Sequence, residues 1–530
     1  MTVAVTQGAT QAAPTTNPYL GILGVFLGAG VATLNARLVS VGLPDLRGAL
    51  GLSFDEGSWI PTALNMATMF AGVFVVFLSV WFGPRRILLL AAAIFTVTSV
   101  LLPFAPGYWA MLGLLVLAGL TSGTFYSLTM TFVLNALPKR LIIFGIAAYA
   151  ADIVFVSNIA SALQGWYAEH LSWHWIFWTA ALFTPLMMIC VYFGIPQRPI
   201  VDARPSWRGF AYFSLGLSLL YGALDQGERL YWLNSGVIVA MLAGGIFLLA
   251  AALFRRISQP NPTLSLSFLN TRNMIIIALS IFAFKFEHLA TILLVPGFLG
   301  NIQQYRALQT GHALAWVAVP MFAVVWLAAW MVIYTNSRLV LTAGLTIVAV
   351  GCWIFSHLDT SWAGTSFQKV ELLLAAGFAC TYVGLVSSIV LEALQAGALK
   401  SAANAATVSG FMHFVRIFGG QVGVAFMTRF ITVREQFHSN LLGLHVQAGS
   451  WLTEERVKML TGGLLPGSTG FEEAQYRAVG ILGQQVRAQS YTLAVSDGFI
   501  LIGWMVVAYL LLMLFLRPGK ISFQDLRRMP

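Results

Sequence analysis

The stretch RRILLLAAAIFTVTSVLLPFAPGYWAMLGLLVLAGLTSGTFYSLTMTFVLNALPKR, residues 85–140, decides how the whole chain is read. Between its two basic pairs, Arg85-Arg86 and Lys139-Arg140, it carries no Asp, Glu, Lys or Arg. A helix needs about 20 apolar residues to cross the hydrocarbon core of a bilayer. The stretch therefore holds two such helices, near 86–105 and 108–135.

Working outward, the same pattern recurs. Spans are expected at 19–42, 58–81, 86–105, 108–135, 141–167, 173–195, 208–225, 234–254, 273–297, 311–335, 338–357, 370–395, 404–431 and 496–517. That makes about fourteen crossings at the required length. Composition agrees: 58% of residues are hydrophobic, 9% are charged, and the mean hydropathy is +0.81. So few charges cannot cover the surfaces of soluble domains. The fold class expected is an all-α polytopic membrane protein.

The formal charge of +10 would suit a nucleic-acid partner, but the basic residues fall in ones and twos between apolar runs, with no stripe. No nucleic acid is expected. Arg85-Arg86, Lys139-Arg140, Arg198, Arg204, Arg208, Arg255-Arg256, Arg272, Arg338 and Lys400 occupy every second connection, and Arg517, Lys520, Arg527 and Arg528 follow the last span. By the positive-inside rule both termini are cytoplasmic, which requires an even number of spans. Residues 1–18 carry no charge and read as a disordered tail, 518–530 as a second tail. Residues 433–494 are the one sizeable hydrophilic region. They are expected as a periplasmic insert with helical composition at Thr453–Leu460 and Glu472–Ala488, either a solvated cap or a docking surface. Cys190, Cys352 and Cys380 lie in or near apolar runs without metal-ligand spacing and read as buried thiols.

Several local motifs occur in order along the chain. They are Leu34-Asn35-Ala36-Arg37 through Val41-Gly42-Leu43-Pro44, Trp59-Ile60-Pro61-Thr62-Ala63, and Leu171-Ser172-Trp173-His174-Trp175-Ile176-Phe177-Trp178. Leu224-Asp225-Gln226-Gly227-Glu228 with Trp232, and Phe414-Val415-Arg416-Ile417-Phe418-Gly419-Gly420 with Gly423, complete the set. Together they resemble the EmrB/QacA-type drug:proton antiporters, a fourteen-helix branch of the major facilitator superfamily. With its long insert before the last span, the chain is most similar to EmrB-like permease subunits. The resemblance implies two six-helix bundles, 19–195 and 257–517, joined by two linker helices within 196–256. It also implies a Gram-negative inner membrane, a periplasmic membrane-fusion adaptor, an outer-membrane channel, and a proton gradient in place of any cofactor.

The chain departs from that family where coupling is usually carried. Asn35 stands at the first-helix Asp, and Leu115 at the fourth-helix Arg, although Gly119 and Gly123 are retained. The loop between the second and third spans keeps only Gly83 and the basic pair of its usual motif. The fifth-span antiporter motif falls on Ala160, Ser161, Ala162, Leu163, Gln164 and Gly165. These differences leave a second reading open, an exporter specific for one metabolite, lipid or siderophore. A non-transporting scaffold for an adaptor is a third.

Charges inside a membrane are costly and usually face a cavity. Arg37, Asp152, Lys285, Glu287 and Arg416 are such residues, with His288 and His413 beside them. Asp152, Glu287 and His288 are the candidates for proton coupling. Arg37, Asn35, Lys285, Arg416 and Tyr126 are the candidates for contact with substrate. An Arg37–Asp152 pair across the cavity would let substrate binding free the acid for a proton, or would be a permanent structural pair. Lys285 and Glu287 are two residues apart and so point to different helix faces. Cations in the cavity suit an anionic or zwitterionic amphipathic substrate. Gly21, Gly24 and Gly28 share one helix face, and with Gly419, Gly420 and Gly423 they are expected at close helix contacts. Neither an enzyme's cluster of catalytic groups nor a nucleotide-binding Gly-rich loop is found.

Overall fold

The computed structural model describes residues 17–135, 137–197, 207–257, 272–395 and 402–516. The tails and the residues Arg198, Arg204, Lys400, Arg517, Lys520, Arg527 and Arg528 lie outside the described residues. Among the described residues every regular element is helical.

The long helices are α1 (Pro18–Val41), α2 (Phe54–Phe82), α3 (Pro84–Leu101) and α4 (Tyr108–Asn135). Next comes α5, which runs Ile142–Ala151, through a π turn Asp152–Val156, into Ser157–His170. They continue with α6 (Trp175–Gly194), α7 (Trp207–Gln226) and α8 (Gly236–Ile257). α9 runs Arg272–Leu289, through a π turn Ala290–Leu294, into Val295–Asn301. The last are α10 (Ala307–Tyr334), α11 (Ser337–Phe355), α12 (Gly364–Gln395), α13 (Ala402–Gly443) and α14 (Phe471–Met513). Twelve of the described helices are long and apolar enough to cross a membrane, so the chain is a multi-pass membrane protein. The expected spans 141–167 and 208–225 are helical but fall outside that count. α5 is divided by its π turn, and α7 carries Arg208, Asp225 and a run of small residues.

Local chemistry sets the ends. Ser53 and Glu56 form a reciprocal capping box that starts α2. Gly83, at φ 82°, takes a left-handed conformation that ends α2, and Pro84 opens α3 where its missing N–H costs nothing. Pro61, Pro185 and Pro320 sit inside helices, as membrane spans tolerate.

Helices α1–α6 pack among themselves, as do α9–α14. The two groups meet where α5 lies on α10 and where α2 and α4 lie on α13, while the α7–α8 pair docks on α2. Small residues permit the closest approaches. A side chain at Gly21 would strike the Gly194 carbonyl on α6 at 3.2 Å, and one at Gly24 would reach Cys190 and Val191 at 3.5 Å. Gly419, Gly420 and Gly423 face Phe282, Lys285 and Leu289 on α9. Cys190, Cys352 and Cys380 are free and buried.

The insert differs from its expected form. Residues 433–494 do not form a unit apart from the flanking spans: α13 continues to Gly443 and α14 begins at Phe471. With 42 and 43 residues, each is about 60 Å long at 1.5 Å per residue, roughly twice the hydrocarbon core. Only the helix Trp451–Leu464 and its connections are separate. At the base of this hairpin Asp497 on α14 accepts from Nε of Arg434 at 2.6 Å and pairs with Nε2 of His438 at 2.7 Å.

Candidate functional site

Asp152 is the first residue of the π turn in α5 and is fully buried. Such a turn adds one residue to a helical turn and is frequent at functional positions. Here it sets the carboxyl against α1. A side-chain carbon at Gly30 would lie 3.3 Å from Oδ1, and Thr33 Oγ1 donates to Oδ2 at 3.3 Å. Nη1 of Arg416 in turn donates to Thr33 Oγ1 at 3.4 Å. Thr33 thus bridges an acid of the first helix group to a cation of the second.

Arg37 is not the partner of Asp152. It lies one turn beyond Thr33, whereas the carboxyl sits at the level of Gly30 and Thr33. The charges acting on Asp152 are those of Arg416 and Lys285. Among the described residues no ion pair involves Arg37, Lys285 or Arg416. The buried Nε atoms of Arg37 and Arg416 and Oδ1 of Asn35 also lack a protein partner.

Aromatic rings pack around the charged groups. The Arg416 guanidinium lies over Tyr126, whose ring meets Tyr149 at 4.9 Å and His413 at 5.8 Å. The hydroxyls of Tyr126 and Tyr382 are 3.3 Å apart, and Tyr149 donates to the Tyr126 carbonyl at 3.0 Å. Phe284 packs on Tyr382 at 4.9 Å, with the Lys285 ammonium 5.9 Å from its ring centre. By contrast Phe125 turns to Phe95, and Phe286 to Phe426.

The α9 candidates separate. The Lys285 charge interacts with Arg416 and Asp152, and His288 is within electrostatic reach of Lys285 and Arg37. His288 stacks on Phe284 and meets the edge of Phe378, with both ring nitrogens unpartnered. Glu287 is 1% exposed with both oxygens unpartnered, and the groups that feel its charge are Cys352 on α11 and Tyr509 on α14. Lys285 and Glu287 therefore do occupy different faces, and Glu287 is not among the groups that act on Asp152. Nor does either α9 group sit at a wet boundary, since His288 is 2% exposed.

The structure adds Thr33, Tyr149 and Tyr382 to the site and sets His413, already noted near Arg416, against the Tyr126 ring. A hydroxyl one turn before Arg37 was the only available signal for Thr33. The two tyrosines had none, because their neighbours are distant in sequence.

The comparisons with known proteins agree with one another. A sequence profile described as Major Facilitator Superfamily matches residues 25–424. The chain is 23% identical over 502 residues to "Multidrug export protein EmrB" of Haemophilus influenzae, covering 94% of this chain and 95% of that protein. It is 24% identical over 510 residues to "Colistin resistance protein EmrB" of Acinetobacter baumannii, covering 92% and 94%. Among solved structures it resembles the proton:xylose symporter XylE, at a TM-score of 0.57 and 13% identity, covering 96% of this chain and 98% of that one.

Proposed function

The chain belongs to the major facilitator superfamily, and from that premise we propose that it is a secondary active exporter of amphipathic small molecules that carry a negative charge. In this reading it is a transporter and not an enzyme. It lies in the inner membrane, crosses it fourteen times with both termini cytoplasmic, and works by alternating access between bundles 19–195 and 257–517. Helices α7 and α8 are the two crossings added to the two six-helix bundles, and α5 crosses despite its π turn. Protons exchanged at Asp152 drive export, and no cofactor is required. A periplasmic adaptor engages the insert and an outer-membrane channel completes the path.

The observation that carries this reading is the imbalance of charge at the interface of the two groups. Arg416 and Lys285 act on one carboxyl, Asp152, while Arg37 lies one turn along α1 from Thr33, and none of the three cations has a direct acidic partner among the described residues. Unpaired charges are costly away from water, so an anionic group entering among them is favoured and a cationic one opposed. The rings of Tyr126, Phe284 and Tyr382, buried beside these charges, supply apolar surroundings for the rest of the ligand. Relatives named for multidrug export and colistin resistance support the direction of transport. The Asn35 and Leu115 departures favour a narrower substrate range than a general multidrug pump.

The test is binding to purified protein in nanodiscs, comparing amphiphiles of equal apolar size with anionic and cationic heads. Tighter binding of the anion is expected, lost as salt rises. Preference for the cation would contradict the reading.

A further inference from the structure

Away from the charged cluster, the end of α7 forms a junction that the proposed site does not use. Asp225 accepts hydrogen bonds from Thr62 Oγ1 on α2 and, at 2.8 Å, from Nε2 of Gln421 on α13. One carboxylate of a linking helix thus ties the first helix group to the second. Among the described residues its partners are neutral donors, which hold a carboxylate without cancelling its charge.

The next residues repeat the arrangement. Gln226 Nε2 donates to the Ser58 carbonyl on α2 at 3.0 Å. Arg229 pairs with Asp55 at the start of α2, and its Nε donates to Gln226 at 2.6 Å. Glu228 instead takes Nη1 of Arg429 on α13 at 3.1 Å and Nε1 of Trp232 at 2.9 Å. The turn that presents these groups is tightly built. Tyr231 and Trp232 hold φ of 58° and 51°, left-handed values that side chains adopt only when their surroundings impose them. A side chain at Gly227 would meet the Trp232 ring at 2.7 Å.

All these partners lie at the end of the molecule that carries the insert, since Arg429 leads directly along α13 to Arg434 and Gly443. At that same end α5 and α10 touch backbone to backbone, Gly165 on Leu308 and Gly311 on Ala162. Resting on the alternating-access reading above, we propose that Asp225 is a positioning residue of the transport cycle. It keeps the insert end closed by holding α2 and α13 together through α7, and it releases α13 when that end opens. The linking helices are then a working part of the gate and not a passive tether.

The test is a distance measurement on the full chain in nanodiscs. Spin labels are placed through Glu169→Cys and Arg306→Cys, exposed positions at the facing ends of α5 and α10, after Cys190, Cys352 and Cys380 are replaced by Ala. With Asp225 intact, a short separation is expected to dominate. Asp225→Ala shifts the distribution to longer separations. Gln421→Glu, which sets two carboxylates against each other, does the same. Combining Gln421→Glu with Asp225→Gln restores an amide–carboxylate contact with its roles exchanged and returns the short separation, a recovery that a folding defect would not show. An unchanged distribution in the single variants, or no recovery in the exchanged pair, would overturn the proposal. These distances are read whether or not any compound is moved, so failure of the export reading in a flux assay is a separate result.

Discussion

The Arg416 guanidinium lies 4.1 Å from the centre of the Tyr126 ring, and this contact joins α13 to α4 across the boundary between the two helix groups. A cation over an aromatic face gains about 0.5–2 kcal/mol, more where water is excluded. Tyr126→Ala is therefore expected to weaken binding of an anionic amphiphile several-fold by freeing Arg416. Tyr126→Phe keeps the ring and gives up only the 3.3 Å contact with Tyr382, so it should bind nearly as the parent does. Equal losses in the two variants, measured by equilibrium binding, would show that the ring face is not what holds Arg416.

Lys285→Gln and Arg37→Gln each remove one unpaired cation. A hydrogen bond to a charged group contributes about 1.5–3 kcal/mol, so each change is expected to weaken an anionic ligand by roughly tenfold or more. A neutral analogue should be little affected. Glu287→Gln serves as the internal comparison, because Glu287 interacts electrostatically with Cys352 and Tyr509 and is not among the groups that act on Asp152. Its anion affinity should stay close to that of the parent.

Gly165→Ala places a methyl against the backbone of Leu308, where there is no room for it. Overpacking of this kind costs about 1–3 kcal/mol. The melting temperature of the purified protein should fall. Gly113→Ala, at a position with nothing within 4 Å, should leave it unchanged or raise it slightly. Similar falls in both would remove the α5–α10 contact as the cause.

Hydropathy was enough to place the long helices, because an apolar run of membrane length has few other uses. Arg85-Arg86 and Lys139-Arg140 bracket α3 and α4 nearly to the residue. The insert was harder to read. Once α13 leaves the apolar layer, its polar helical turns to Gly443 have the composition of a loop, although no proline breaks them. Individual charges were legible as unusual, but their partners were not. Arg416 was read as a candidate for contact with substrate, but its link to Asp152 through Thr33 joins residues far apart in the chain. The π turn at Asp152–Val156 has no signature in propensity, yet it sets which level of α1 the carboxyl meets. Asp225 and Thr62 were visible as parts of two separate motifs, while the contact between them and the one with Gln421 were not.

Asp497→Ala removes the shared acceptor of Arg434 and His438 at the base of the insert. These groups are partly exposed, so the stability lost is expected to be no more than about 1 kcal/mol. The local effect should be clearer: limited proteolysis of residues 444–470 should quicken, with α1–α6 unaffected. Proteolysis at the parent rate would mean that the extended helices hold the insert without this junction.

In the proposed cycle a proton taken up and released at Asp152 drives an anionic amphiphile across the membrane. Flux of such a compound in proteoliposomes under an imposed pH gradient, with Asp152→Asn beside the parent, tests it most directly. Gradient-driven transport by the parent is expected, with its loss in Asp152→Asn, while exchange of labelled for unlabelled substrate without a gradient persists. Undiminished gradient-driven transport by Asp152→Asn would contradict it.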